Sequence, residues 1–297
     1  MHDHAHHHGS SGERIAWAFF LNFGFTIIEF IGGWLTNSTA IMADAVHDLG
    51  DSLSIGLAWI LEKTGNKKAD SMFSYGYRRF SLLGSLINGL VLIAGSIWIL
   101  SEAIPRLQHP QMPVTEGMLG LAIFGVAVNG FAAWKLSSGK TLNERILNWH
   151  LLEDVLGWVA VLIVSIVLMF VDWPILDPLL SIGFTLFILL NVVRNLRTTL
   201  RLFLQAVPDA ECLEGIRDAI LSMPHISNVH HLHCWSLDGE HHVLTAHALL
   251  DADISVQEQR NLKHLLAEAL AEYPLEHTTI EFEFKNERCR DSVKGDI

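Results

Sequence analysis

Six long apolar runs organise the chain up to Val193: Ile15–Leu35, Thr39–Leu61, Phe80–Leu100, Met118–Trp134, Ile146–Val171 and Ile175–Val193. A bilayer core is crossed by about 20 apolar residues in a helix, and lipid offers the backbone no partner outside a helix or a closed barrel. The runs are read as six spanning helices. The connections between them alternate in charge. Lys63, Lys67, Lys68, Arg78 and Arg79 lie between spans two and three, Lys135, Lys140 and Arg145 between four and five, and Arg194, Arg197 and Arg201 after six. The opposite connections carry only Arg106. The positive-inside rule then puts both termini in the cytoplasm, in a pattern that suits a bacterial inner membrane. Five or seven crossings would break the alternation.

From Gln205 onward the composition changes. Seven Lys and Arg stand against 17 Asp and Glu there, which accounts for most of the net charge of −12. An acidic region does not suit nucleic acid; it suits cations. Val207-Pro208-Asp209 reads as a linker and helix start, Ala210–Met223 as a helix closed by Pro224. Val229–Leu237 and His241–Leu249 are strand-like runs around Asp238-Gly239, a hairpin signal. Ser255-Val256-Gln257-Glu258 has the form of a capping box and opens a helix to about Glu272, and Thr278–Phe284 alternates as a third strand. The order α-β-β-α-β predicts a small α+β domain with its helices on one face of a sheet. Expected boundaries are a His-rich tail over 1–14, six helices over 15–204, the α+β domain over 205–285 and a short tail over 286–297.

Three cysteines, Cys212, Cys234 and Cys289, all in the polar part and without paired spacing, fit a reducing cytoplasm rather than a disulfide framework. No signal peptide is visible. Of 17 histidines, five fall in Met1–His8 and nine in the C-terminal region. Asp3 and Ala5 interrupt the first group, which favours a native metal-collecting tail over the remnant of a tag.

The spans carry polar groups that lipid makes expensive, and such groups are functional candidates. Span two holds Asp44, His47, Asp48 and Asp51, span five His150, Glu153 and Asp154, span one Asn22 and Glu29, and span four Asn129. Spans three and six are mostly apolar, so spans one, two, four and five are expected to surround a polar pathway. His47 with Asp51, and His150 with Asp154, are each spaced i, i+4 on one helix face. Together they supply two imidazoles and two carboxylates, a tetrahedral set that Zn²⁺ accepts and that neutralises a dication in a medium of low dielectric. Imidazole favours Zn²⁺ and its neighbours over Mg²⁺ or Ca²⁺. Metal binding displaces the proton of a histidine that titrates near physiological pH, so the same groups can exchange a metal for protons. Structural intramembrane hydrogen bonds are the bland alternative. Asp44 is an entry-path candidate; Asp48 and Glu153 have no assigned role.

The chain resembles the cation diffusion facilitator family, its zinc-type branch in particular. The resemblance lies in Ala43–Asp51, His150–Asp154, Tyr75-Gly76-Tyr77-Arg78-Arg79 and Val229–Leu237, four motifs in order. It implies a six-helix membrane domain with a cytoplasmic ferredoxin-like domain, a homodimer, and Zn²⁺/H⁺ antiport by alternating access that exports metal from the cytoplasm. It implies a transport site of His47, Asp51, His150 and Asp154, and a cytoplasmic-domain site at His230, His247, Glu281 and Glu283. Zn²⁺ is then substrate and regulator, with no organic cofactor, and the partners are protons, lipid and a second copy of the chain. The loop Glu62–Phe80 contains no histidine, so the loop metal site of some relatives is not expected. Gln205 stands where relatives carry an acidic partner for a loop cation, so that ion pair is not expected either.

Three other classes fit parts of this pattern. A membrane metallo-enzyme keeps a coordination position open for water, and no span holds His-Glu-x-x-His. A divalent-metal channel or a metal-sensing receptor needs no four-ligand cage that opens on each cycle. Cd²⁺ and Co²⁺ fit the same cage as Zn²⁺.

Overall fold

The computed structural model describes residues 9–64, 67–136, 142–285 and 287–291; the side chains of 9–15, 18, 62–64, 135, 136 and 142–150 lie outside the description. The chain divides into two compact units, Met1–Glu62 with Gly84–Leu196, and Lys63–Leu83 with Arg197–Ile297.

The first unit is built from α1 (Gly9–Thr36), α2 (Thr39–Thr64), α3 (Phe80–Gln108), α4 (Thr115–Leu136), α5 (Leu142–Phe170) and α6 (Leu176–Phe203). Five of these hold a window long and apolar enough to cross a membrane. The exception is α2, a full-length helix whose middle carries Asp44, Asp48 and Asp51. The last helix runs past the expected end at Val193 to Phe203, because no residue that breaks a helix intervenes before Pro208.

Two apolar clusters fix α2. Ala40 and Ile41 pack with Met118 and Ala122 of α4 and with Trp158, Val161 and Leu168 of α5. Ala43 and Val46 pack with Leu92 and Ile99 of α3 and with Ile188 and Val192 of α6. Small residues permit this closeness, as they do where helices pack in lipid. A Cβ on Gly125 would lie 2.1 Å from the Trp158 ring, so the indole occupies the space that a side chain on α4 would need. Large apolar side chains such as Trp17, Trp34, Phe131, Trp134 and Phe170 are exposed on the outside of this unit.

The start of α2 is held from α6. Asp177, buried at 1% exposure, accepts from the Ser38 hydroxyl at 2.5 Å, from the Thr39 N–H at 2.7 Å and hydroxyl at 2.8 Å, and from the Ala40 N–H at 3.3 Å. The first N–H groups of a helix have no intrahelical acceptor, and a carboxylate there also meets the positive end of the helix dipole. Asp177 is thus a cap supplied in trans. A second polar layer ties α1 to α2, where the Asn22 amide donates to Ser52 Oγ at 3.0 Å and Thr26 shares a hydrogen bond with the same hydroxyl.

In the second unit the order is α7 (Ala210–Leu221), β1 (Ile226–Ser236), β2 (His242–Leu250), α8 (Val256–Ala269) and β3 (Leu275–Glu283). Asp209 caps α7 through the Glu211 N–H. Ser255 and Glu258 form the expected capping box at α8. Strands β1 and β2 pair antiparallel around Gly239, whose φ of +106° is one that glycine adopts without strain. Strand β3 pairs parallel with β2, giving the sheet order β1-β2-β3. Ile216, Ile220, Leu262 and Leu266 of the helices pack on Val229, Cys234, Leu244, Ala246 and Ala248 of the sheet. Strand β1 changes register between His230 and His233, where two residues oppose the single Ala246 and His231 has φ +48°. This is a β-bulge.

Residues 67–83 pack within this second unit. Tyr75 meets Trp235 and His277 edge-on, and Tyr77 donates its hydroxyl to Asp70 at 2.7 Å. Arg78 reaches Asp238 at 3.6 Å and Glu276 at 3.5 Å. With Gln205 in the linker, the loop cation takes acceptors on the hairpin turn and at the start of β3 instead. Burial works against ionisation of Asp238, but the His241 and Glu240 N–H groups and the His241 side chain outweigh it and hold this carboxyl below its ordinary range.

Candidate metal centre

Two groups of potential ligands converge among the described residues, one in each unit. The first is His47, Asp51 and Asp154, whose donor atoms lie within 4.8 Å of one another. His47 Nε2 is 3.7 Å from Asp51 Oδ2 one turn along α2, and 3.7 Å from Asp154 Oδ1 on α5. The i, i+4 spacing brings the first pair together; the packing of Ala40 and Ile41 against α5 brings the third. Asp154 Oδ1 is buried and makes no hydrogen bond among the described residues. His150 lies in α5 one turn before Asp154, but its side chain is outside the described residues.

These groups border a cavity of about 660 Å³. Asp44 and Glu153 also line it, with Ser54, Asn88, Asn191 and Asn195 as further polar groups. This changes the expected grouping of helices, because α3 and α6 wall the cavity together with α2 and α5. These two helices also carry the three asparagines, Asn88, Asn191 and Asn195, that line the cavity. Helix α1 instead packs its polar groups against the other side of α2, around Ser52. Asp48 is not among the cavity residues. Glu29 on α1 is 1% exposed, with neither carboxylate oxygen hydrogen-bonded among the described residues.

The second group is His230, His247, Glu283 and Cys289, again with donor atoms within 4.8 Å. His230 and His247 are directly opposed across β1 and β2, and Glu281 is opposed to His247 across β2 and β3. With Glu283 two residues further on, all four expected residues point to the sheet face away from α7 and α8. Glu283 Oε1 is 2.7 Å from His247 Nδ1, and Glu283 Oε2 is 3.0 Å from His230 Nε2. Glu281 stands further off, 3.9 Å from His247 Nε2. Burial raises the affinity of Glu283 for a proton, but hydrogen bonds from Cys289 and His247 and the charge of His230 outweigh this and keep its carboxyl below the ordinary range. Cys289 was not singled out by the sequence. It lies beyond the last strand, where no periodicity places it, and only the return of the chain over the sheet brings it to His247.

The family profile of the cation efflux transmembrane domain matches residues 15–204, and that of the cation efflux protein cytoplasmic domain matches residues 208–284. The chain belongs to the cation diffusion facilitator family. It is a multi-pass membrane protein of this cation efflux family, a family of transporters. A cadmium, cobalt and zinc/H(+)-K(+) antiporter of Bacillus subtilis is 34% identical over 94% of this chain and 91% of its own. The zinc transporter ZitB of Pectobacterium atrosepticum is 32% identical over 98% and 90%, and the metal cation efflux system protein CzcD of Cupriavidus metallidurans 31% identical over 94% and 89%.

Proposed function

We propose that the protein exports Zn²⁺ from the cytoplasm in exchange for protons, with Cd²⁺ and Co²⁺ as further substrates. The observation that carries this reading is the convergence of His47, Asp51 and Asp154 within 4.8 Å beside a cavity between helices. His150 completes a tetrahedral set with two nitrogens and two carboxylates. Because the ligands divide between α2 and α5, relative motion of the two helices opens the cage, and the protons that replace the metal settle on the same histidines and aspartates. Asp44 and Glu153 attract the cation along the cavity. Relatives named as zinc, cadmium and cobalt transporters support this range of substrates.

In this reading α2 is the sixth spanning helix, with Asp44, His47 and Asp51 lining the cavity and Asp48 buried against its neighbours rather than facing lipid. The domains run 1–14, 15–204, 205–285 and 286–297, the third being a cytoplasmic ferredoxin-like domain. The protein works as a homodimer in a bacterial inner membrane with both termini in the cytoplasm. Zinc held by His230, His247 and Glu283, with Glu281 beside them, neutralises the acidic cytoplasmic domain and biases the membrane helices toward transport.

Zn²⁺ uptake into sealed proteoliposomes, followed with a pH-sensitive dye, tests the exchange. Uptake should move protons the opposite way, and Asp51→Ala or Asp154→Ala should abolish it in protein that remains folded. Zinc flux without proton flux would sink antiport; retained flux in either variant would sink the site.

A further inference from the structure

The cytoplasmic cluster has a firm set of three donors and three competitors, Glu281, Asp291 and Cys289, for the fourth place that a closed zinc site takes. Asp291 Oδ2, 3.5 Å from His247 Nε2, is exposed and shared with Arg290 Nε at 3.8 Å. Glu281 is next to His247 in the sheet, but its carboxylate is engaged elsewhere: Arg290 Nη2 lies 2.6 Å from Glu281 Oε2, while His247 Nε2 is 3.9 Å away. Cys289 Sγ is 3.3 Å from His247 Nδ1, and its sulfur shares the 4.8 Å envelope of His230, His247 and Glu283. His230 Nε2 is buried without a hydrogen bond although Glu283 Oε2 is 3.0 Å from it, as suits a nitrogen aimed at a third body. Cys289 and Arg290 are consecutive. One short segment after β3 therefore brings a thiol to the site and occupies the carboxylate that would compete with it.

We propose that Cys289 is the fourth ligand of a His₂-Glu-Cys metal site in the cytoplasmic domain, and that Glu281 is the anchor for Arg290 that docks the segment. The proposal rests on the reading of His230, His247 and Glu283 as a metal site, and it changes the chemistry of that site. On binding M²⁺ the Cys289 S–H bond breaks, the sulfur–metal bond forms, and the proton leaves to solvent. A thiolate selects soft and borderline ions such as Cd²⁺ and Zn²⁺, whereas the membrane set contains only nitrogen and oxygen. The two sites then rank metals differently, and an ion can be carried without being sensed with equal strength.

The test uses the full-length protein in detergent with Asp51→Ala silencing the membrane site, titrated with Cd²⁺ and read by the ultraviolet charge-transfer band of a cadmium thiolate. The parent should develop the band. Cys289→Ser should lose it and bind Cd²⁺ more weakly by on the order of tenfold or more, at least the loss that altering a partner of a metal ligand produces. Glu281→Gln, which keeps an acceptor for Arg290, should keep the band and lose less affinity than Cys289→Ser. A band that survives Cys289→Ser, or a larger loss in Glu281→Gln, overturns the assignment. So does a parent with no band whose Cd²⁺ binding still depends on His247. If His247→Ala instead leaves the number of bound Cd²⁺ ions unchanged, the cytoplasmic site itself is wrong. Zn²⁺ protection of Cys289 against alkylation gives a second readout; equal rates with and without Zn²⁺ count against the ligand.

Discussion

Removing the Asp177 carboxylate should loosen the whole helix that carries His47 and Asp51. Asp177→Ala leaves the Thr39 and Ala40 N–H groups and the Ser38 and Thr39 hydroxyls without the acceptor they share. The hydroxyls can turn; the N–H groups cannot. A hydrogen bond to a charged acceptor contributes about 1.5–3 kcal/mol, and a stranded buried donor costs about 1–3 kcal/mol. Counting the Thr39 N–H as one full loss and the two hydroxyls together as another, with little from the 3.3 Å contact to Ala40, gives about 3–6 kcal/mol. For a domain of this size the melting temperature should fall by on the order of 10 °C. Asp177→Asn is milder. Its oxygen can serve the Thr39 N–H, and its amide can donate to a Ser38 hydroxyl that turns to accept, so only the Ala40 N–H faces a donor. Roughly half the loss is expected. Tryptophan fluorescence during a thermal ramp in detergent reads both variants. A parent-like melting temperature for Asp177→Ala, or an Asn variant as damaged as the Ala variant, would refute the account of Asp177 as the cap of α2.

Gly125→Val should cost at least about 1–3 kcal/mol, since the new side chain meets a rigid indole rather than a flexible tip, and the same thermal ramp would show it. Arg78→Ala should change stability by no more than about 1 kcal/mol, because its pairs with Asp238 and Glu276 are part-exposed; denaturant midpoints of the purified protein would measure it. Asp238 has a depressed pKa in the fold, so the stability it supplies is present above its unfolded value of about 3.9 and is lost as pH falls through the folded value. Asp238→Asn should therefore flatten the acid limb of the stability curve below about pH 4 and leave its shape above that unchanged, as read by circular dichroism across an acid titration.

What was legible in the sequence follows from local periodicity. The i, i+4 pairing of His47 with Asp51 needs only a helix, and the capping box at Ser255 needs only four residues. Asp154 joined them because two similar motifs in a greasy background leave few other partners. The rest depends on packing across long stretches of chain. Asn88, Asn191 and Asn195 look like incidental polar residues until helix rotation turns them into a cavity wall. Asp177, 139 residues from Ser38, could be read in sequence as a cap of its own helix, yet it caps another. The partners of Arg78 likewise follow from how the hairpin turn and β3 meet the loop. Cys289 lies past the last alternating run, where period-two reasoning has nothing to count.

The bulge in β1 makes chain length a specification in its own right. Val229 and Cys234 both belong to the core, although they are an odd number of residues apart and an unbroken strand would turn them to opposite faces. Strand β1 is thus two half-strands in opposite phase, one presenting His230 to the metal cluster and the other seating Cys234 under the helices. Deleting a single residue at His231 or Leu232 would leave Val229 and Cys234 four apart, so an unbroken strand would keep the imidazole outside and the thiol inside and would lose only the bulge. The odd spacing of two core residues is thus what the extra residue exists to reconcile.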